Sequence, residues 1–404
     1  MTLLHEEPTI VDVRRAELLF EEARQRRRRL RTIWITIATV AAVVLVSIGL
    51  TVHLFSSLRL QSAALKAQPA WPEHLRTGAS LAYAFNDLQI LSADTGVSHV
   101  LPLPAPYGSA GDLGMVSFGH SLLLNRGDRA WLYSVVSPGA PADLGRSIGV
   151  FRGPKSGEAW IWSQPCIPII GCANYNASQM GDVRLIDSVG RQIEAPVALP
   201  GTAGWYPTGL AGSAGIVISK SPAYGNNEEE VWNPLTGQVV RVFKDANVIG
   251  AGGNIVVWTA APANCTTRCT VHISNVRTGS EHTVKLPSGF TTTGDAVISP
   301  DSSTIAITAA FGGMSHLSDP EAVLLVGPDD LVARVLAGSE QATNPNLGPM
   351  ALTWSTNGWL FSFTVGTTKV DAWRPGESRA RVLPRLKLPE VTHLVNEGPS
   401  LTAL

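Results

Sequence analysis

The chain has 404 residues, 45% hydrophobic and only 16% charged, enough for one large domain or two ordinary ones. Its 38 Gly and 27 Pro fall short of collagen-like or low-complexity composition. A net charge of −1 argues against nucleic-acid binding by the protein as a whole.

Residues 1–32 hold eight Arg and six acidic residues, and six of those Arg lie between Arg24 and Arg31. Val13, Ala16, Leu19, Phe20 and Ala23 have helical spacing and predict a short helix opening at Asp12. No Asp, Glu, Lys or Arg occurs from Thr32 to Leu58. Within that stretch Ile33 to Phe55 is mostly apolar. As a helix it would be roughly 34 Å long, enough to cross a bilayer core of about 30 Å. A cleaved signal peptide is the competing reading, but its apolar region is shorter and it ends in a small-residue cleavage site. Ala63-Ala64 is a weak match to such a site. An uncleaved signal anchor is therefore expected at 33–55. The Arg cluster before the span places a stub, 1–32, in the cytoplasm. Everything after a linker at 56–77 is then extracytoplasmic, in a protein of the plasma membrane.

From Gly78 the pattern changes to short apolar runs separated by turn residues. Turns recur near 95, 138, 188, 235, 278, 328 and 375, in segments such as ILSADTGVSHVLPLP, VWNPLTGQVVRVF and ISNVRTGSEHTVKLP. Asp, Asn, Pro and Gly at these points suit tight turns because they tolerate or pre-set the dihedrals required. A spacing of 43 to 50 residues, with four strands in each unit, is the signature of a β-propeller. The expected fold is all-β, a seven-bladed propeller over 78–395 preceded by one transmembrane helix, with a C-terminal tail at 396–404. The second turn is weak, which leaves six or eight blades as alternatives.

Innermost strands are expected at MVSFG, IGVFR, YPTGL, NVIGA, AVISP and MALTW. The first unit opens at LAYAF without one, so VTHLV at 391–395 is expected to complete blade one and close the ring. Closure of this kind hides two sheet edges. The second strands are LAYAF, SLLLN, AWIWS, GIVIS, NIVVW, TIAIT and WLFSF. Such continuous apolar runs suit strands buried on both faces. Trp160, Trp162, Trp258 and Trp359 belong with them and are expected to pack between blades rather than stack on a ligand.

VISPDSSTIAITAA at 297–310 resembles the S-P-D-G-x-x-[IL]-A-[FV] segment of bacterial WD40-like and TolB-type propeller repeats, with Ser302 where Gly is usual. The Asp-Thr-Gly and Pro-Leu-Thr-Gly turns are similar to those of YVTN- and quinoprotein-type propellers. The resemblance covers about 78–395 as a pattern and implies a fold shared by scaffolds and lyases alike.

Signatures of catalysis are few. AGSAG at 211–215 has the wrong glycine spacing for a serine nucleophile turn, and neither H-x-H, H-E-x-x-H nor a calcium loop occurs. The Thr-Gly turns lack the following Trp of quinone-binding propellers. No cofactor, metal site or catalytic residue is assigned.

The connections from second to third strand are long in four successive blades, at about 163–182, 219–229, 259–270 and 309–321. Long loops with polar and aromatic content on a rigid scaffold commonly carry binding. Tyr175, Tyr224, Asn226, Glu228, Arg268, His316 and Asp319 are the candidate binding residues. Neutral insertion is the competing reading. The four cysteines form two close pairs in these loops, Cys166 with Cys172 and Cys265 with Cys269. In an oxidising compartment local disulfides are expected. Free thiols and a metal site are the alternatives, although Cys166-x5-Cys172 is outside the usual zinc spacing.

The expected function is a membrane-anchored, non-catalytic scaffold or sensor that binds a protein or an envelope glycan. The alternative is a lyase or hydrolase acting on polysaccharide or peptide. Only Glu228, His316 and Asp319 offer acid–base groups for that chemistry.

Overall fold

The computed structural model describes residues 76–84, 87–104, 113–136, 139–163, 181–200, 205–220, 228–260, 270–311, 321–340, 350–364, 368–388 and 400–404. The chain divides into two compact units, Met1–Leu65 and Lys66–Leu404, and all of these residues belong to the second. The expected stub and the apolar run at 33–55 lie outside the described residues. Among the described residues no helix is long and apolar enough to cross a membrane.

The described strands form seven four-stranded antiparallel sheets. Six sheets follow the chain in simple up-and-down order, and the seventh joins the two ends of the domain. The innermost strands of blades two to seven are Gly114–Phe118, Gly149–Arg152, Trp205–Gly212, Ala246–Gly252, Phe290–Ile298 and Met350–Trp354. Blade one takes its innermost strand, Ser400–Ala403, from the C-terminus. Each innermost strand packs beside the next, and that of blade seven packs beside that of blade one, so the ring is closed. The fold is a seven-bladed β-propeller.

The core is divided among the blade interfaces. Seven apolar clusters occur among the described residues, one at each junction between neighbouring blades. The second strand of blade six, Ile305–Phe311, shows why its sequence is continuously apolar. Ile305 and Ile307 pack toward blade five, whereas Ala306 packs toward blade seven. Successive side chains of a strand point to opposite faces, and here both faces are dry. Each fully buried Val, Leu or Ile contributes about 1.5–3 kcal/mol.

The tryptophans pack between blades. Trp160 is buried between blades three and four with Trp162 beside it, and Trp359 is buried between blades seven and one. Trp258 stacks on His272 at 4.0 Å between ring centroids, and its indole N–H donates to Ser274 Oγ at 3.0 Å.

Closure involves a different segment from the one expected. Residues 391–395 lie outside the described residues, and the strand that pairs with Ser80–Ala84 is Ser400–Ala403, within the stretch read as a tail. Leu81 lies opposite Ala403. The far edge of Ala403 is held by blades on either side: its N–H donates to Thr353 Oγ1 at 3.1 Å, and its carbonyl accepts from Ser117 Oγ at 2.6 Å. Four residues are too few for a strand pattern to stand out, and these polar contacts arise only in the ring.

The turns repeat a local chemistry. Asn233 Oδ1 accepts from the N–H groups of Leu235 and Thr236, and Asn275 Oδ1 from those of Arg277 and Thr278. In the Ser-Pro-Asp turn of blade six, Ser299 Oγ donates to Asp301 and accepts from the N–H of Thr304. Blade seven repeats this with Ser355, Asn357 and Trp359. Ser302 has φ of +59°, a left-handed conformation that favours glycine and accounts for the usual Gly at this position.

Candidate functional site

An up-and-down sheet sorts its connections to two ends. The first-to-second and third-to-fourth strand turns share one end. The second-to-third connections share the other with the links between blades. The long connections leave Ser163, Lys220, Ala260 and Phe311 and return at Asp182, Glu228, Val271 and Glu321. The strand ends that these connections join therefore all lie at the second end, on blades three to six.

Of the predicted binding residues, Tyr175, Tyr224, Asn226, Arg268, His316 and Asp319 lie outside the described residues, as do Cys166, Cys172, Cys265 and Cys269. Glu228 is described. It is half-buried at the start of the third strand of blade four, opposite Lys244 on the fourth.

The two acids after Glu228 differ in environment. Glu229 is buried, and its carboxylate accepts the N–H of Val248 on the first strand of blade five. A bulge between Val248 and Gly250 breaks the register beside this contact. Burial pushes Glu229 up to about 7, against the opposing hydrogen bonds from Val248 and Ser219. Glu230 is also raised, by burial and then by the charge of Glu228, with Lys220 acting in the other direction. A second acid makes a comparable link: Glu321 at the start of the third strand of blade six is buried and accepts the N–H of Met350 at 2.6 Å. Glu229 and Glu321 thus tie their own blade to the next, a role that the local sequence around each does not disclose.

At the opposite end a cleft of about 380 Å³ lies between blades six and seven. One wall is the Ser-Pro-Asp turn at 299–301. The other comprises Trp354 and residues 356–358, with Arg374 and Pro375 from the last turn of blade seven. Asp301 accepts from Ser299 Oγ at 2.5 Å, from the Ser303 N–H at 3.0 Å and from Ser303 Oγ at 2.8 Å. The Ser299 hydroxyl, followed by the Ser303 donors, holds its pKa below the usual carboxylate value. Arg374 lies over the Trp359 ring, 5.1 Å from its centroid, and 3.8 Å from Glu377. Trp354 is fixed by its indole N–H, which donates to the Val297 carbonyl at 3.2 Å.

Sequence reasoning identified the Ser-Pro-Asp turn as a structural resemblance but not as a cleft wall, and it did not single out Arg374. No signal in either turn shows that they meet. Among the described residues no group of three or more His, Cys, Asp or Glu is placed to hold a metal ion.

No family model matches the sequence, and no curated protein matches it. Solved structures share the fold at low identity. An oligogalacturonate lyase from Vibrio parahaemolyticus is 11% identical with a TM-score of 0.45, over 75% of this chain and 84% of that one. TolB from Acinetobacter baumannii is 11% identical with a TM-score of 0.42, over 78% of each chain. Apo AztD from Citrobacter koseri is 8% identical with a TM-score of 0.42, over 81% of this chain and 87% of that one. The class defined is the seven-bladed β-propeller, with TolB-like propellers among its structural neighbours.

Proposed function

We propose that the protein is a membrane-anchored scaffold or sensor whose extracytoplasmic propeller binds a protein or envelope glycan through the loops of blades three to six. The observation that carries this reading is the grouping of four long connections at one end of the ring, on consecutive blades. At the other end, the turns at Asn233, Asn275, Ser299 and Ser355 are closed by their own side chains. A closed ring with a dry interface at every blade junction is a rigid support for such loops. The apolar run at 33–55 and the arginines before it supply the anchor and its orientation.

The test is in-cell crosslinking and capture with the full-length protein, alongside a variant with Tyr224, Arg268 and His316 changed to Ala. The reading expects one partner captured from the membrane fraction by the parent and lost in the variant, with both proteins melting alike. Equal capture by both, or recovery of the parent in the soluble fraction, would overturn it.

A further inference from the structure

The cleft between blades six and seven presents opposite charges on its two walls. Asp301 is exposed and accepts from the Ser299 hydroxyl and from the N–H and hydroxyl of Ser303, all neutral donors. Arg374 is likewise exposed, seated on Trp359, with its nearest carboxylate at 3.8 Å. No ion pair joins Asp301 to Arg374 among the described residues, although both line one cavity of about 380 Å³. That volume is at the lower end of the range for small-molecule pockets.

The walls are set before any ligand arrives. Proline stands beside each charge, at Pro300 and Pro375. The Asp301 turn is closed by its own hydrogen bonds, the Arg374 guanidinium rests on an aromatic face, and the Trp354 ring is pinned through its N–H. Preorganised groups lose little freedom on binding. A carboxylate with neutral partners suits an ammonium group, and a guanidinium on an aromatic ring suits a carboxylate. We propose that this cleft is a second binding site, on the end opposite the long loops, for a zwitterionic amino acid or short peptide, with its ammonium at Asp301 and its carboxylate at Arg374.

Calorimetric titration of the full-length protein in detergent with L-alanyl-L-alanine tests this, alongside the N-acetylated and C-amidated forms. Dialanine should bind saturably, and masking either charge should weaken binding about tenfold, one charge-assisted contact at a partly exposed site. Arg374→Gln should weaken dialanine by a similar factor and leave the amide unaffected. Asp301→Asn, which keeps an acceptor for the Ser303 N–H, should weaken dialanine and leave the acetylated form unaffected. Thr356→Trp fills the cleft from an exposed turn and should abolish binding while leaving both charges, Asp301 and Arg374, in place. The absence of saturable heat with dialanine up to about 10 mM, a limit near −3 kcal/mol, would overturn the proposal. So would equal binding of the masked forms, or dialanine binding unchanged in Thr356→Trp.

Discussion

The Ser117 hydroxyl donates to the Ala403 carbonyl at 2.6 Å, joining residues 286 positions apart in the chain. With Thr353 Oγ1 on the Ala403 N–H, it holds the closing strand from the side that faces away from Leu81. The last strand of the chain is thereby fastened to blades seven, one and two.

Removal of 400–404 should therefore destabilise the whole propeller. It exposes the edge of Ser80–Ala84 and strips Leu401 and Ala403 from the cluster between blades seven and one. Ser117→Ala alone should cost about 1–2 kcal/mol, the loss of one buried hydrogen bond with its acceptor left behind. Thermal denaturation followed by circular dichroism measures both, and a truncated protein that melts with the parent would refute the closure.

The contact between blades four and five should depend on pH through Glu229. Its folded pKa of about 7 lies above the ordinary value of 4.5. A raised folded pKa means that the folded state binds the proton more tightly. The group's contribution is complete below about 4.5 and is lost as pH rises through about 7. The loss is at most about 3 kcal/mol. Stability measured by chemical denaturation between pH 5 and 8 should fall more steeply in the parent than in Glu229→Gln. Parallel curves would count against a titrating Glu229.

Asp94 should act in the opposite direction. It accepts from the N–H and hydroxyl of Thr77 at 2.7 and 2.8 Å and from the Gly78 N–H at 2.9 Å, fixing the chain where it enters blade one. Burial alone would raise its pKa, but these bonds and the charge of Arg76 lower it overall. The contribution is present above the ordinary carboxylate value and lost as pH falls through the depressed one. Asp94→Ala should cost about 2 kcal/mol at pH 7, typical for hydrogen bonds to a charged group. The difference between parent and variant should shrink in acid. A constant difference down to pH 2 would refute the assignment.

Ser302→Gly should stabilise the protein. A left-handed conformation costs an L-residue about 1–2 kcal/mol, and glycine returns about 0.4–1 kcal/mol of that through the freedom of its unfolded chain. The net gain is at most about 1.5 kcal/mol, read as a rise of a few °C in Tm. The equivalent turns use Gly253 in blade five and Gly358 in blade seven, both at positive φ. A lower Tm would mean that the Ser302 side chain is needed against Gly253, whose added Cβ would stand 2.7 Å from Ser302 Oγ.

The propeller was legible because its information is local and repeated. TIAIT reads as a strand buried on both faces because Ile305 and Ile307 serve one interface and Ala306 the other. The turns were legible because Asn233 and Asn275 cap the N–H groups just after them, a contact that needs no distant partner. Glu228 was found as a charged residue of a long connection, whereas the distinct surroundings of Glu229 and Glu230 were not visible in a run of three identical side chains.

The short apolar strands and the turns that separate them were legible in the sequence itself, since period-two burial and turn chemistry act over a few residues, whereas the choice of seven blades over six or eight came from the closed ring. Only the tertiary structure decided that Ser400–Ala403 closes the ring, that Glu229 and Glu321 link blades, and that Asp301 and Arg374 share a cleft. Each of these depends on groups from separate blades or from the two ends of the chain. The interaction energy of such groups exists only once the ring has brought them within hydrogen-bonding or van der Waals reach.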